Sequence, residues 1–176
     1  MSHERQNLLR SRIRNVPDFP TEGILFKDIT PLLADVEAFR ASIALMAEAL
    51  DGEAPNAVVG IESRGFMFGA ALADKLGVGF VPVRKPGKLP AATHRAEYEL
   101  EYGHDAVEIH QDALKRGDRV VIVDDLIATG GTARATKELV QRCGAEVAAF
   151  VFLINLIDLG GAAKLAPSRV ISILDY

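Results

Sequence analysis

Val120-Val121-Ile122-Val123-Asp124-Asp125-Leu126-Ile127-Ala128-Thr129-Gly130-Gly131-Thr132 is the stretch on which the reading of this chain turns. The apolar, β-branched run from Val120 to Val123 has the character of a short, fully buried strand. Asp124 and Asp125 come at its carboxyl end. Next is a loop of small residues, in which Thr129 and Thr132 flank Gly130-Gly131, and a helical pattern resumes near Ala133. A small-residue turn that opens a helix presents backbone N–H groups to an anion, assisted by the helix dipole. Two carboxylates would repel that anion; they suit hydroxyl groups or a divalent cation instead. In an open α/β sheet, ligands bind in the crevice beyond the carboxyl ends of the strands. The ligand implied here carries a phosphate at one end and a diol or metal at the other, as a sugar phosphate does. No lysine follows the glycines, which excludes a Walker loop, and the chain has no GxGxxG fingerprint.

Composition is that of one ordinary domain: 176 residues, 49% hydrophobic and 25% charged. A net charge of −4 gives no broad electrostatic reason to bind nucleic acid. No apolar run reaches the ~18 residues of a membrane span, and the amino-terminal residues lack an apolar signal core. The single cysteine, Cys143, permits no internal disulfide and reads as a buried small apolar residue. A soluble cytoplasmic protein is expected, with no nucleic-acid or membrane partner.

Outward from the motif, the chain alternates strands and helices. Helices are expected over 4–14, over 35–50, after the run Glu62 to Phe66 with Phe68, Leu72 and Leu76 as its apolar set, and over 133–143. Strands are expected over 57–61, 79–83, 119–124, 147–157 and 170–174. This alternation predicts an α/β fold with a mostly parallel central sheet flanked by helices on both faces. Two stretches interrupt it. Residues 16–33 hold Pro17, Pro20, Pro31 and Gly23, which rule out a long regular element, yet carry Phe19, Ile24, Leu25, Phe26 and Ile29. They read either as a lid or as a wrapping of the core. Residues 97–102 alternate like a ribbon whose return is 107–110, which reads equally as a mobile lid or a plain surface hairpin. Arg64, near a helix start, is an odd place for a cation unless an anion binds beside it. Arg84, Lys85 and Lys88 cluster at the end of the 79–83 strand. His94, His104 and His110 have no metal-ligand spacing and read as surface residues.

The run 120–132 resembles the 5-phosphoribosyl pyrophosphate (PRPP) motif of the type I phosphoribosyltransferases. The resemblance implies that Asp124 and Asp125 hold the ribose hydroxyls. It implies that Ala128, Thr129, Gly130, Gly131 and Thr132 hold the 5′-phosphate. Residues 16–32 are similar to the amino-terminal hood of the adenine phosphoribosyltransferases. That implies purine contacts at Leu25, Phe26 and Lys27, partly through backbone, with Leu126 on the other side of the base. Such a reading makes physical sense, because adenine offers a donor and an acceptor along one edge and a peptide backbone can match both. Gly60-Ile61-Glu62-Ser63-Arg64-Gly65-Phe66 resembles the pyrophosphate loop, often built around a non-proline cis bond, here at Glu62–Ser63. Arg84, Lys85 and Lys88 match basic residues that face phosphates. Tyr98 to Gly103 resembles the catalytic flap and implies a proton-handling role for Glu101, beside Arg64.

The resemblance further implies one domain over 1–176, with helix and hood at 1–34 and a flap at 88–110. The implied reaction converts adenine and PRPP to AMP and pyrophosphate, a purine salvage step, with Mg²⁺ carried mainly on PRPP and water. A homodimer is implied as well. A transferase for another base (hypoxanthine, xanthine or orotate) shares the fold, and the hood argues against it. A PRPP-sensing, nucleic-acid-binding regulator would need a basic face that the acidic balance does not provide.

Overall fold

The computed structural model describes residues 2–100 and 103–176. In chain order the elements are α1 (Ser2–Ser11), β1 (Arg14–Pro17), β2 (Leu25–Asp28), α2 (Thr30–Ala34), α3 (Val36–Ala49), β3 (Ala57–Ile61), α4 (Gly65–Leu76) and β4 (Gly79–Val83). Then come β5 (Thr93–Leu100), β6 (Gly103–His110), β7 (Arg119–Ile127), α5 (Gly131–Arg142), β8 (Glu146–Asn155) and β9 (Val170–Asp175), with short 3-10 turns at Ile157–Leu159 and Ala163–Leu165. The central sheet has the order β4-β3-β7-β8-β9, and every pairing in it is parallel.

Strand alternation divides the core. Val58, Val121, Val123 and Val151 face α1, α3 and α4; Val59, Ile122, Phe150 and Phe152 face the other way. That second face is covered by α5 together with the β5–β6 hairpin, whose residues Ala96, Tyr98, Val107 and Ile109 are buried there. The hairpin runs further than its alternation suggested, pairing from Thr93↔His110 to Leu100↔Gly103. It takes the place of a second helix on that face.

Several boundaries differ from expectation for local reasons. The first helix stops at Ser11, whose Oγ donates to the Leu8 carbonyl at 2.7 Å. Arg14 lies instead on β1 and pairs with Asp28 across the β1–β2 ribbon. The proline-rich stretch thus contains two short strands, which form a sheet of their own. α3 starts at Val36 because the Asp35 carboxylate accepts from the N–H groups of Glu37 and Ala38, each at 3.0 Å. β8 ends at Asn155, where its partner β9 ends at Asp175. No helix among the described residues is long and apolar enough to cross a membrane.

The difference that matters most concerns β7. It does not end at Asp124, the expected limit, but continues through Asp125 to Ile127, because β8 stays paired with it as far as Ile127↔Asn155. β3, on its other side, is paired only as far as Gly60↔Val123. From Asp124 onward β7 therefore has one open flank. β3 leads away to the outer strand β4 while β7 leads to β8, so the crevice lies at the topological switch point of the sheet.

Candidate active site

Four segments meet at this crevice: the strand end 124–127, the loop 128–132, the β3–α4 turn 62–64 and the hood strand β2. α4 opens against β7 so tightly that a Cβ at Gly65 would lie 2.7 Å from the Val123 carbonyl and 2.9 Å from Asp124 Oδ1. Glycine there brings Arg64 over the acidic pair. Arg64 Nε is 3.1 Å from Asp125 Oδ2, and its guanidinium lies 5.2 Å from the centre of the Phe26 ring. The Glu62–Ser63 peptide is cis.

The acidic pair is under-partnered. The Asp125 side chain is 3% exposed, and its Oδ2 has no partner in hydrogen-bonding geometry, the contact with Arg64 being electrostatic only. Asp124 Oδ1 accepts from the Asp125 N–H at 2.9 Å. Burial pushes both carboxyls above their ordinary range. The Asp125 charge raises Asp124 further, whereas Arg64 works against the rise at Asp125. A buried carboxylate oxygen without a donor is costly, and a ligand hydroxyl would supply that donor.

The loop beyond them bounds a cavity of about 200 Å³, walled by Asp124, Leu126 and residues 127–132, with Phe152 against it. α5 begins at Gly131, two residues before its expected start, with Gly130 in the left-handed region at φ 82°. The N–H groups of 129–132 thereby stand at a helix amino terminus.

The basic cluster is arranged around a different acid. Glu62 accepts from Lys88 Nζ at 2.6 Å, from the Lys85 N–H at 3.0 Å and from Arg84 Nε at 3.2 Å. Burial alone would raise this carboxyl, but those donors outweigh it and hold it at about 2. Lys85 Nζ turns to the hairpin, where it donates to Tyr98 Oη at 2.7 Å and pairs with Asp105. Leu25 is exposed, Phe26 half-buried and Lys27 buried with its side chain directed away from Arg64. Only main chain and the Phe26 ring are thus presented to the crevice by 26–27. Glu101 lies outside the described residues.

One contributor was not singled out from sequence. Gly161, in the turn after β8, donates its N–H to the Ala128 carbonyl at 3.1 Å. A Cβ on it would stand 2.3 Å from that carbonyl oxygen and 2.8 Å from the Gly130 nitrogen. The phosphate-type loop is therefore backed, backbone against backbone, by a remote glycine. The Gly160-Gly161 doublet is the signal in the sequence that could have pointed to it.

A parallel sheet with a small-residue helix-opening loop and a buried acidic pair at its switch point defines a phosphoribosyl transferase, and the family model for the phosphoribosyl transferase domain matches residues 29–173. An adenine phosphoribosyltransferase of a Synechococcus species is 58% identical over 168 residues, covering 96% of this chain and 98% of that protein. One from Carboxydothermus hydrogenoformans is 57% identical, covering 96% and 99%. Among solved structures, the enzyme of Thermoanaerobacter pseudethanolicus superposes with a TM-score of 0.95 at 53% identity, covering 97% of this chain and 99% of that one. The Saccharomyces cerevisiae enzyme, solved with adenine and an imino-altritol bisphosphate, gives 0.92 at 43% identity, covering 98% and 99%. This chain belongs to the adenine phosphoribosyltransferase family.

Proposed function

We propose that this protein transfers the 5-phosphoribosyl group of PRPP to adenine, giving AMP and pyrophosphate, and that it does so in the switch-point crevice. The observation that carries the residue assignment is the buried Oδ2 of Asp125, which lies beside Arg64 without a hydrogen-bond donor, while its neighbour Asp124 lines the cavity bounded by the 128–132 loop.

The bond from ribose C1 to pyrophosphate oxygen breaks, and the bond from C1 to adenine N9 forms on the opposite face. Asp124 and Asp125 accept from the ribose hydroxyls, and their charge favours the cationic character that the sugar ring acquires. Thr129, Gly130, Gly131 and Thr132, with Ala128, hold the 5′-phosphate through N–H and hydroxyl groups. Arg64 and the Ser63 turn receive the departing pyrophosphate. Arg84, Lys85 and Lys88 supply further positive charge, which Glu62 and Asp105 balance in the free protein. The β2 backbone at Leu25 and Lys27 reads the purine edge, and Phe26 and Leu126 bracket its faces. Glu101 handles the N9 proton, an assignment resting on resemblance alone. Holding both reactants in one geometry, away from water, is the main work of such a site.

Mg²⁺ fits this site as a companion of PRPP, because the under-partnered acidic pair suits hydroxyls and a hydrated, substrate-borne ion. When bound it neutralises charge on the leaving pyrophosphate. A homodimer and a cytoplasmic location complete the reading; both rest on the family resemblance.

The test is a base-by-base assay. Purified protein, PRPP and Mg²⁺ are offered adenine, hypoxanthine, guanine and orotate while pyrophosphate release is monitored. Release with adenine alone is expected. Release with another base instead would overturn the roles given to Leu25, Phe26 and Lys27 while keeping the phosphoribosyl site.

A further inference from the structure

The β1–β2 ribbon is not part of the central sheet, and a lone two-stranded ribbon is marginal by itself. Something outside it must fix the main chain at Leu25 to Lys27 if that main chain is to read a base. Phe26 and Lys27 leave opposite faces of the strand. Phe26 turns to Arg64, whereas Lys27 turns inward and is only 9% exposed. Its ammonium donates to Asn15 Oδ1 at 2.8 Å and lies 4.1 Å from the centre of the Tyr176 ring. Among the described residues no carboxylate pairs with it. A buried cation without a counter-ion is costly, and the Asn15 amide oxygen together with the aromatic face compensates.

Tyr176 is itself tied to the sheet. Its N–H donates to the Asn155 carbonyl at 3.0 Å, and its own carbonyl accepts from the Ile157 N–H at 2.9 Å. A second cation, Arg10 of α1, lies 4.9 Å from the same ring and donates to the Asp175 carbonyl at 3.1 Å. Burial, with Arg10 nearby, pulls the Lys27 ammonium below its ordinary range. The ring therefore sits between an amino-terminal helix and the hood strand, anchored at the end of β8.

We propose that Tyr176 is a positioning residue for base recognition: its ring holds the Lys27 ammonium and so fixes the β2 main chain against the crevice. The inference rests on the assignment of purine reading to Leu25, Phe26 and Lys27. Tyr176 touches neither substrate; it acts through Lys27.

Steady-state kinetics and thermal melting of Tyr176→Leu, Tyr176→Phe and Phe26→Ala test it. Tyr176→Leu is expected to raise KM for adenine about three- to tenfold, with KM for PRPP within about twofold, and Tyr176→Phe, which keeps the ring, is expected to restore the wild-type value. A lower melting temperature in Tyr176→Leu with an unchanged adenine KM would show a merely structural role and overturn the proposal. Failure of Tyr176→Phe to rescue would overturn the ring–ammonium mechanism. Should Tyr176→Leu not fold, Lys27→Met removes the same contact from the other side and is expected to raise the adenine KM alike; an unchanged KM there overturns the proposal. Phe26→Ala separates the two levels. If it leaves the adenine KM unchanged, the base-reading assignment itself fails. If it raises that KM while Tyr176→Leu does not, only the positioning role fails.

Discussion

Glu62 and Asp125 lie at the ends of neighbouring strands, and each faces an arginine, yet they are built in opposite ways. Glu62 accepts from Arg84, Lys88 and a backbone N–H, and those donors hold its carboxyl at about 2 despite burial. Asp125 has a single arginine beside it and an oxygen with no donor, and burial drives its carboxyl upward. The saturated acid is scaffold: it keeps the Arg84 and Lys88 side chains in place at the outer end of the crevice, and in the proposed reaction they exchange partners when pyrophosphate arrives. The unsaturated acid is an open acceptor, which the proposed function assigns to a ribose hydroxyl. Charge alone does not distinguish the two; the set of donors around each carboxylate does.

The largest effect should come from Asp125→Asn. It keeps the shape of the side chain but turns one acceptor into a donor and removes the charge that the proposed function sets against the sugar. kcat/KM for PRPP is expected to fall about a hundredfold, as for loss of a hydrogen bond to a charged group. Stability should move the other way. A carboxyl raised in the folded state weakens folding as pH climbs from its unfolded value through its folded one. At neutral pH the asparagine variant should therefore melt no lower than wild type. A variant that turns over like wild type would remove the contrast between the two acids, and so would one that unfolds.

Gly161→Ala should give the next effect and sharpen the contrast from the side of the loop. The added methyl meets the Ala128 carbonyl and the Gly130 nitrogen, neither of which can give way without moving the loop. Overpacking of this kind costs about 1–3 kcal/mol, so KM for PRPP is expected to rise about tenfold. KM for adenine should change less than twofold. Equal rises in both would mean that the turn supports the whole crevice rather than the phosphate loop.

How much of the molecule is legible in its sequence depends on whether the determinant is local. The strand run 120–123, the acidic pair, the glycine doublet and the apolar strands are local patterns, and they place the sheet, the loop and the crevice. The extension of β7 beyond Asp124, through Asp125 to Ile127, is not legible, because it is set by pairing with β8, and propensity does not favour aspartate in a strand. The cation cluster 84–88 is legible as a cluster, but its closure on Glu62 depends on a turn more than twenty residues away. Gly161 and Tyr176 act across the fold, and nothing in their sequence neighbourhood points to residues 128 or 27. The hairpin is visible as alternation, yet its share in covering the core depends on α5 packing against it.

The smallest expected effect, and the one that tests the scaffold half of the contrast, is that of Glu62→Gln on stability against pH. Glu62 is held at about 2 against an ordinary 4.5. A carboxyl depressed by folding contributes its full stabilisation above the unfolded value and loses it as pH falls through the folded one. The acid limb of the stability curve should therefore run between about pH 4.5 and 2. Asp28, held at about 2 by the Thr30 N–H and Arg14, shares that limb. Asp35, Glu48 and Asp105 are lowered as well; the glutamine variant removes one of these contributions, so its melting temperature should decline less steeply over this window. At neutral pH it should melt a few degrees lower, on the order of 1 kcal/mol for a charge-assisted network loosened at a partly exposed site. Activity should respond least of all: Arg84 and Lys88, no longer held by a carboxylate, remain free to meet pyrophosphate, and KM for PRPP should stay level or fall. A large rise in that KM would show that Glu62 positions the cations for the anion rather than merely storing them, and an acid limb identical to wild type would show that the carboxylate is not saturated in solution.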